Sequence, residues 1–220
     1  MQRELTASGY TLGEEIAHAV SHGIGALLSI AGLAVLVAFA ALNGNAWHIT
    51  SCSIYGATLI FLYTASTLYH GITQPKVKQV LRRIDHAAIF LLIAGTYTPF
   101  TLVNLRGGWG WTLFGLVWGL AVLGVVLETV VKQRIRWLSI TLYLGLGWLV
   151  LIAIKPLLAS VASGGLILLL TGGLCYSLGV IFYVWKRLAY HHAVWHMFVM
   201  AGSVLHFFSI FFYVLPPAGG

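Results

Sequence analysis

Residues 191–200, HHAVWHMFVM, set His192 and His196 four apart in an otherwise apolar and aromatic run. Each imidazole brings two nitrogens that need partners, and hydrocarbon offers few. On a helix, positions i and i+4 share a face about 6 Å apart along the axis, so both rings can address one metal ion. His70, which ends the run Ser66-Thr67-Leu68-Tyr69-His70, can supply a third nitrogen. Three imidazoles suit zinc, which keeps a fourth position for water in catalytic sites and lowers the pKa of that water to about 7. Asp85 could accept a hydrogen bond from such a water or take its proton. Ser66, one turn from His70 on the same face, could orient His70, Asp85 or a substrate.

Plainer uses compete. Asp85 could pair with Arg82 or Arg83 at a helix start, and Ser66 could bond its own helix backbone. His206 lies ten residues past His196. That is about 15 Å along a helix, out of reach of the same metal, so a helix–helix hydrogen bond is expected instead. Glu15-x-x-His18-x-x-x-His22 also has metal-like spacing. A di-metal carboxylate centre needs such a motif twice plus further glutamates, which this chain lacks. The expectation is that His22 buttresses the main site or closes its cytoplasmic mouth, while His18 faces headgroups. His192 and His206 are fourteen apart, as in two-haem helices, but no other pair matches that spacing, which argues against haem. His86 and His191 have no assigned task.

The elements that must position these residues are membrane spans. Of 220 residues, 60% are hydrophobic and 8% charged, the composition of an integral membrane protein. Residues 16–75 contain no Lys, Arg, Asp or Glu, enough for two crossings of about 20 residues each. Asn43-Gly44-Asn45 marks the turn between them. The remaining uncharged runs give five more, so the predicted fold is an all-α, seven-helix transmembrane bundle in a single domain over 1–220. The spans fall at about 18–41, 48–70, 85–104, 109–131, 137–155, 162–185 and 191–215. A PPAGG tail at 216–220 ends the last, and Pro99 and Pro156 could kink the third and fifth.

With the N-terminus cytoplasmic and the C-terminus outside, ten of the twelve basic residues fall on the inner side, and only Arg106 and Lys155 fall outside. The net charge of +7 is therefore a topology signal carried by juxtamembrane loops, not a nucleic-acid surface. Trp47, Trp109, Trp111, Trp137, Trp185 and Trp195 lie near span ends, where indoles favour the interface. Thr11-Leu12-Gly13-Glu14 has capping-box spacing and predicts a helix start near Leu12. The first span is too long for a signal-peptide core and is expected to be retained. Cys52 and Cys175 fall at different depths, so no disulfide is expected. This topology brings His70, Asp85, His192 and His196 from three helices to one depth near the inner leaflet, without having used any histidine.

The motifs STLYH at 66–70, Asp85-His86, AGTYTPF at 94–100, and His192-x-x-x-His196 with Ser203-x-x-His206-Phe207 resemble the progestin and adipoQ receptor family. With YTLGEEIAHAVSHGIG near the N-terminus, the chain is most similar to the bacterial hemolysin III-like branch. The resemblance implies a zinc ion near the inner leaflet held by His70, His192 and His196. Asp85 then holds the metal's water, with Ser66 nearby. It also implies a multi-pass protein of the bacterial inner (plasma) membrane whose partners are membrane lipids, as substrate or ligand. Adiponectin receptors of the family are associated with ceramide hydrolysis. The short N-terminal tail departs from the animal receptors and puts partner docking of their kind in doubt.

Three functional classes follow. A zinc-dependent hydrolase would act on an amide or ester lipid at the inner leaflet. A receptor or regulator of membrane lipid state would use zinc as a structural clasp between helices two and seven. A transporter would require more mid-membrane polarity and broken helices than the sequence offers. Three histidines and a nearby acid favour an open, water-bearing metal over a closed structural one.

Overall fold

The computed structural model describes residues 5–131 and 135–217. Three residues counted in the inner basic set, Arg3, Lys132 and Arg134, lie outside the described residues, as do residues 218–220 of the tail. Among the described residues seven helices are long and apolar enough to cross a membrane: α1 Leu12–Asn43, α2 Ala46–Gly71, α3 Pro75–Asn104, α4 Gly108–Val130, α5 Arg136–Ser160, α6 Ser163–Val184 and α7 His191–Tyr213. Each neighbour in sequence packs on the next, and α1 also packs on α7, which closes the bundle into a ring. The all-α, seven-helix expectation holds.

Local chemistry sets the boundaries. Thr11 caps α1 through a capping box: Glu14 N–H donates to Thr11 Oγ1 at 3.3 Å, and Thr11 N–H donates to Glu14 Oε2 at 2.9 Å. Gly44 ends α1 and Asn45 caps α2, so the turn falls where predicted, with Asn43 closing α1 and two residues between the helices. Pro75 opens α3 at its first position, where its missing N–H costs nothing. This start lies ten residues before the span expected from the sequence. Lys76, Lys78, Arg82 and Arg83 therefore sit on the first turns of α3 and not on a loop, which corrects the loop assignment. Pro99 leads into a π-helical stretch at Phe100–Asn104, and a 3-10 stretch at Leu149–Ala153 precedes Pro156. Both proline-bearing helices are irregular where expected.

The packing is that of a membrane bundle. On α1 the buried residues Glu15, His18, His22, Gly25 and Ser29 recur every three to four positions, while Leu27, Leu28 and Ile30 are exposed. The polar, small face points inward and the apolar face outward. A Cβ at Gly25 would lie 2.7 Å from the Tyr63 ring, so glycine lets α1 approach α2 closely. Midway along the bundle, Tyr63 Oη donates to Ser203 Oγ at 2.7 Å and Tyr176 Oη meets the same hydroxyl at 2.8 Å, which ties α2, α6 and α7. His206 bonds the Leu169 carbonyl at 3.1 Å across α7 and α6, the helix–helix role expected of it. Trp109, Trp111, Trp137 and Trp185 are well exposed, as interface anchors are. Trp195 is not one of them; it is half-buried against the core.

Candidate metal centre

The end of the bundle carrying the start of α1, the end of α2 and the starts of α3 and α7 is, by the charge rule, the cytoplasmic end. Chain geometry delivers the histidines there. Tyr190 adopts a left-handed conformation (φ 55°), and its N–H is held by Glu14 Oε1 at 3.2 Å. This turn directs the first residues of α7 inward, and His191, His192 and His196 are all buried. One nitrogen each from His70, His192 and His196 lies within 4.8 Å of the others. The three residues expected as ligands thus meet, and the cluster could hold a metal ion.

The hydrogen bonds around the cluster prepare two of the rings for ligation. His70 Nδ1 is 2.6 Å from Glu15 Oε2; a carboxylate accepts, so Nδ1 carries the proton and Nε2 keeps its lone pair. His70 Nε2 is buried and has no hydrogen-bond partner among the described residues. Ser21 Oγ donates its single proton to the His18 carbonyl at 2.9 Å, so in its 3.0 Å contact with His196 Nδ1 the imidazole is the donor. Again Nε2 is left with its lone pair. An outer carboxylate or hydroxyl that fixes tautomer and ring orientation is the usual support of a metal-bound histidine. Buried nitrogens without partners are costly in an apolar bundle, and ligation of a metal removes that cost. The residues present fit an imidazole-favouring ion.

Glu15 is itself heavily anchored. It accepts from Lys78 Nζ at 2.9 Å, from Thr6 Oγ1 at 3.0 Å, and from Ser8 Oγ. Lys78 is buried and also donates to the Tyr69, His70 and Ile72 carbonyls at 2.8, 3.4 and 3.3 Å. One ammonium therefore caps the C-terminus of α2, where free carbonyls concentrate negative potential, and neutralises Glu15. The chain before α1 folds back over the site. Tyr10 packs edge-on to His18 at 4.7 Å and lies 5.4 Å from the His192 ring. Burial pushes the Tyr10 phenol up, so it stays protonated at neutral pH.

On the other side, Ser66, Asp85, His22, His192 and His196 line a cavity of about 40 Å³. The Asp85 side chain is 13% exposed and lies 3.7 Å from His86 Nδ1; among the described residues it forms an ion pair with neither Arg82 nor Arg83. Arg83 donates instead to the Thr129 carbonyl at 2.8 Å. Ser66 is buried, and no hydrogen bond among the described residues ties it to its own helix.

One expectation is overturned. His18 does not face headgroups: it is fully buried, with its ring centre 4.6 Å from His70 and 4.8 Å from His192. The rotation of α1 that turns Glu15 toward Lys78 carries His18, three positions on, into the cluster. His22 stacks on His196 at 3.4 Å between ring centres, the buttress expected of it, while Tyr10 covers the cytoplasmic side. Sequence reasoning missed Glu15, Ser21 and Lys78 as supports. For Glu15 the signal was present: a small or polar residue at 15, 18, 22, 25 and 29 marks the inward face of a membrane helix.

Comparison with known proteins places this geometry in a lineage. The family described as Haemolysin-III related matches residues 10–207, which include every residue of the cluster. The chain is 51% identical over 204 residues to a hemolysin-3 homolog of Bacillus subtilis (strain 168), covering 93% of this chain and 96% of that protein. It is 45% identical over 218 residues to hemolysin-3 of Bacillus cereus, covering 99% and 100%. A more distant relative, the monocyte to macrophage differentiation factor of Homo sapiens, is 26% identical over 213 residues, covering 93% and 86%. With its seven apolar helices, the chain is a multi-pass membrane protein and belongs to the haemolysin-III related family.

Proposed function

We propose that the protein is a zinc-dependent hydrolase of an amide or ester lipid at the inner leaflet, with His70, His192 and His196 as ligands. The observation that carries this reading is the two-sided site: three converging imidazoles, and next to them a cavity bearing an acid and a serine. A zinc ion held there would polarise a carbonyl oxygen and acidify water. Asp85 would accept the proton released as the lipid carbonyl is attacked, and return it to the leaving group. Ser66 would orient Asp85 or the substrate. Glu15 and Ser21 would hold two ligand rings in their tautomers, and the apolar walls would keep bulk water out. An amide or ester headgroup linkage suits this depth, whereas free acids and sterols offer no bond to hydrolyse.

A second reading, a structural clasp that ties α2 to α7 in a sensor of membrane lipid state, draws support from the tightness of the site. A cavity of about 40 Å³ takes a water and not a lipid carbonyl with its chain. Hydrolysis would require that cavity to widen. The deciding experiment is elemental analysis of untagged, detergent-purified wild type and His70→Ala, followed by a screen of amide and ester lipids. About one zinc per wild-type chain, lost in the variant, together with turnover of one lipid class that Asp85→Asn abolishes, is expected for the hydrolase. Zinc without any turnover leaves the clasp; no stoichiometric metal removes both.

A further inference from the structure

We propose that His18 is an exchangeable fourth ligand of the metal held by His70, His192 and His196, so that the site alternates between a closed four-histidine state and an open one. The inference rests on the metal-binding part of the proposed function. The rings of His18, His70, His192 and His196 form a near-regular tetrahedron. The six distances between ring centres are 4.6, 4.8, 5.4, 5.2, 5.4 and 4.6 Å. Zinc–imidazole bonds of about 2.0–2.1 Å arranged tetrahedrally set ring centres about 5 Å apart, which is this spacing. His18 is fully buried, and among the described residues neither of its ring nitrogens has a hydrogen-bond partner. A histidine that merely filled space there would leave two polar atoms unsatisfied in an apolar bundle.

The geometry also shows why the ligation is exchangeable. The trio's ligand nitrogens lie within 4.8 Å of one another, whereas the group that includes His18 at that distance is completed by His70 and Glu15. Its ring must turn toward His192 and His196 to complete the tetrahedron. Glu15 does not compete for a metal of its own, because His70, Lys78, Thr6 and Ser8 already occupy its oxygens. The fourth position is then contested from opposite sides: by His18 from α1, and by water or substrate from the cavity beside Asp85 and Ser66. Closure by His18 yields the four-protein-ligand clasp; its withdrawal yields the open site.

The test is X-ray absorption at the zinc edge on the full-length, untagged protein, with His18→Gln and His18→Cys beside wild type and His196→Ala. Expected are an imidazole count above three in wild type, three in His18→Gln with zinc stoichiometry kept, and a new sulfur scatterer at about 2.3 Å in His18→Cys. Because His18→Cys gains a signal, a fold weakened by His18→Gln does not blur the answer. Wild-type zinc with three imidazoles, an unchanged count in His18→Gln and no sulfur in His18→Cys overturn the His18 assignment and leave the three-ligand site standing. Absence of zinc from wild type, or its full retention in His196→Ala, overturns the underlying site itself.

Discussion

The α1 side of the histidine cluster is closed and heavily bonded, whereas the α3 side borders a small cavity, where Asp85 lies 3.7 Å from His86 Nδ1. Toward α1, Glu15 and Ser21 hold the Nδ1 atoms of His70 and His196, Lys78 neutralises Glu15, and His22 lies flat on His196. Toward α3, Asp85 and Ser66 share a cavity of about 40 Å³ with His192 and His196. The difference teaches a division of labour. Ligand orientation needs tight, satisfied contacts, because a ring that rotates loses its aim. Proton transfer needs a carboxylate that is near and loosely held, and the contact of Asp85 with His86 is a long 3.7 Å.

Four substitutions sharpen or break this contrast. His196→Ala removes a proposed ligand that touches both sides and is expected to have the largest effect. Bound metal falls below one equivalent and stability drops by about 2 kcal/mol or more, read by elemental analysis and thermal unfolding. Full metal retention would take His196 out of the ligand set. Asp85→Asn tests the open side alone: metal content is unchanged while lipid turnover falls by about 100-fold or more. Loss of metal instead would make Asp85 a ligand and erase the distinction between the sides.

Glu15→Gln tests the closed side. Metal affinity is expected to weaken by about 10- to 100-fold, and the protein to lose about 3 kcal/mol because Lys78 stays buried without its counter-charge. Adding Lys78→Met should recover much of the stability but not the affinity, as measured by competition with a chelator. Recovery of both would assign Glu15 to folding only. Ser21→Ala is the mildest, costing about 1 kcal/mol for one hydrogen bond with a correspondingly small loss of metal affinity. A loss as large as that of Glu15→Gln would mean that His196 depends on Ser21 as much as His70 depends on Glu15.

Much of this was legible in the chain. Charge-free runs and the bias of Lys and Arg mark seven spans and their orientation, because desolvating a charge in hydrocarbon is too costly to be arranged otherwise. The i, i+4 spacing places His192 and His196 on one face, and the span order brings His70 and Asp85 to their depth. The start of α3 was less legible: its amphipathic first turns carry four basic residues, which read as a loop until Pro75 is recognised as a helix opener.

Only the tertiary structure decided the part played by α1. Its sequence contains Glu15, His18, Ser21 and His22, but periodicity along one helix does not say which neighbours that face meets. That rotation comes from contacts of α1 with α2 and α7, such as the close approach of Gly25 to Tyr63 and the pairing of Ser21 with His196. The sequence by itself determined the spans, their direction and the depth of each polar residue, because these follow from the transfer of side chains between water and lipid. Which rings touch, and which carboxylate supports a ligand and which faces the cavity, depend on helix rotation, and packing between helices sets that.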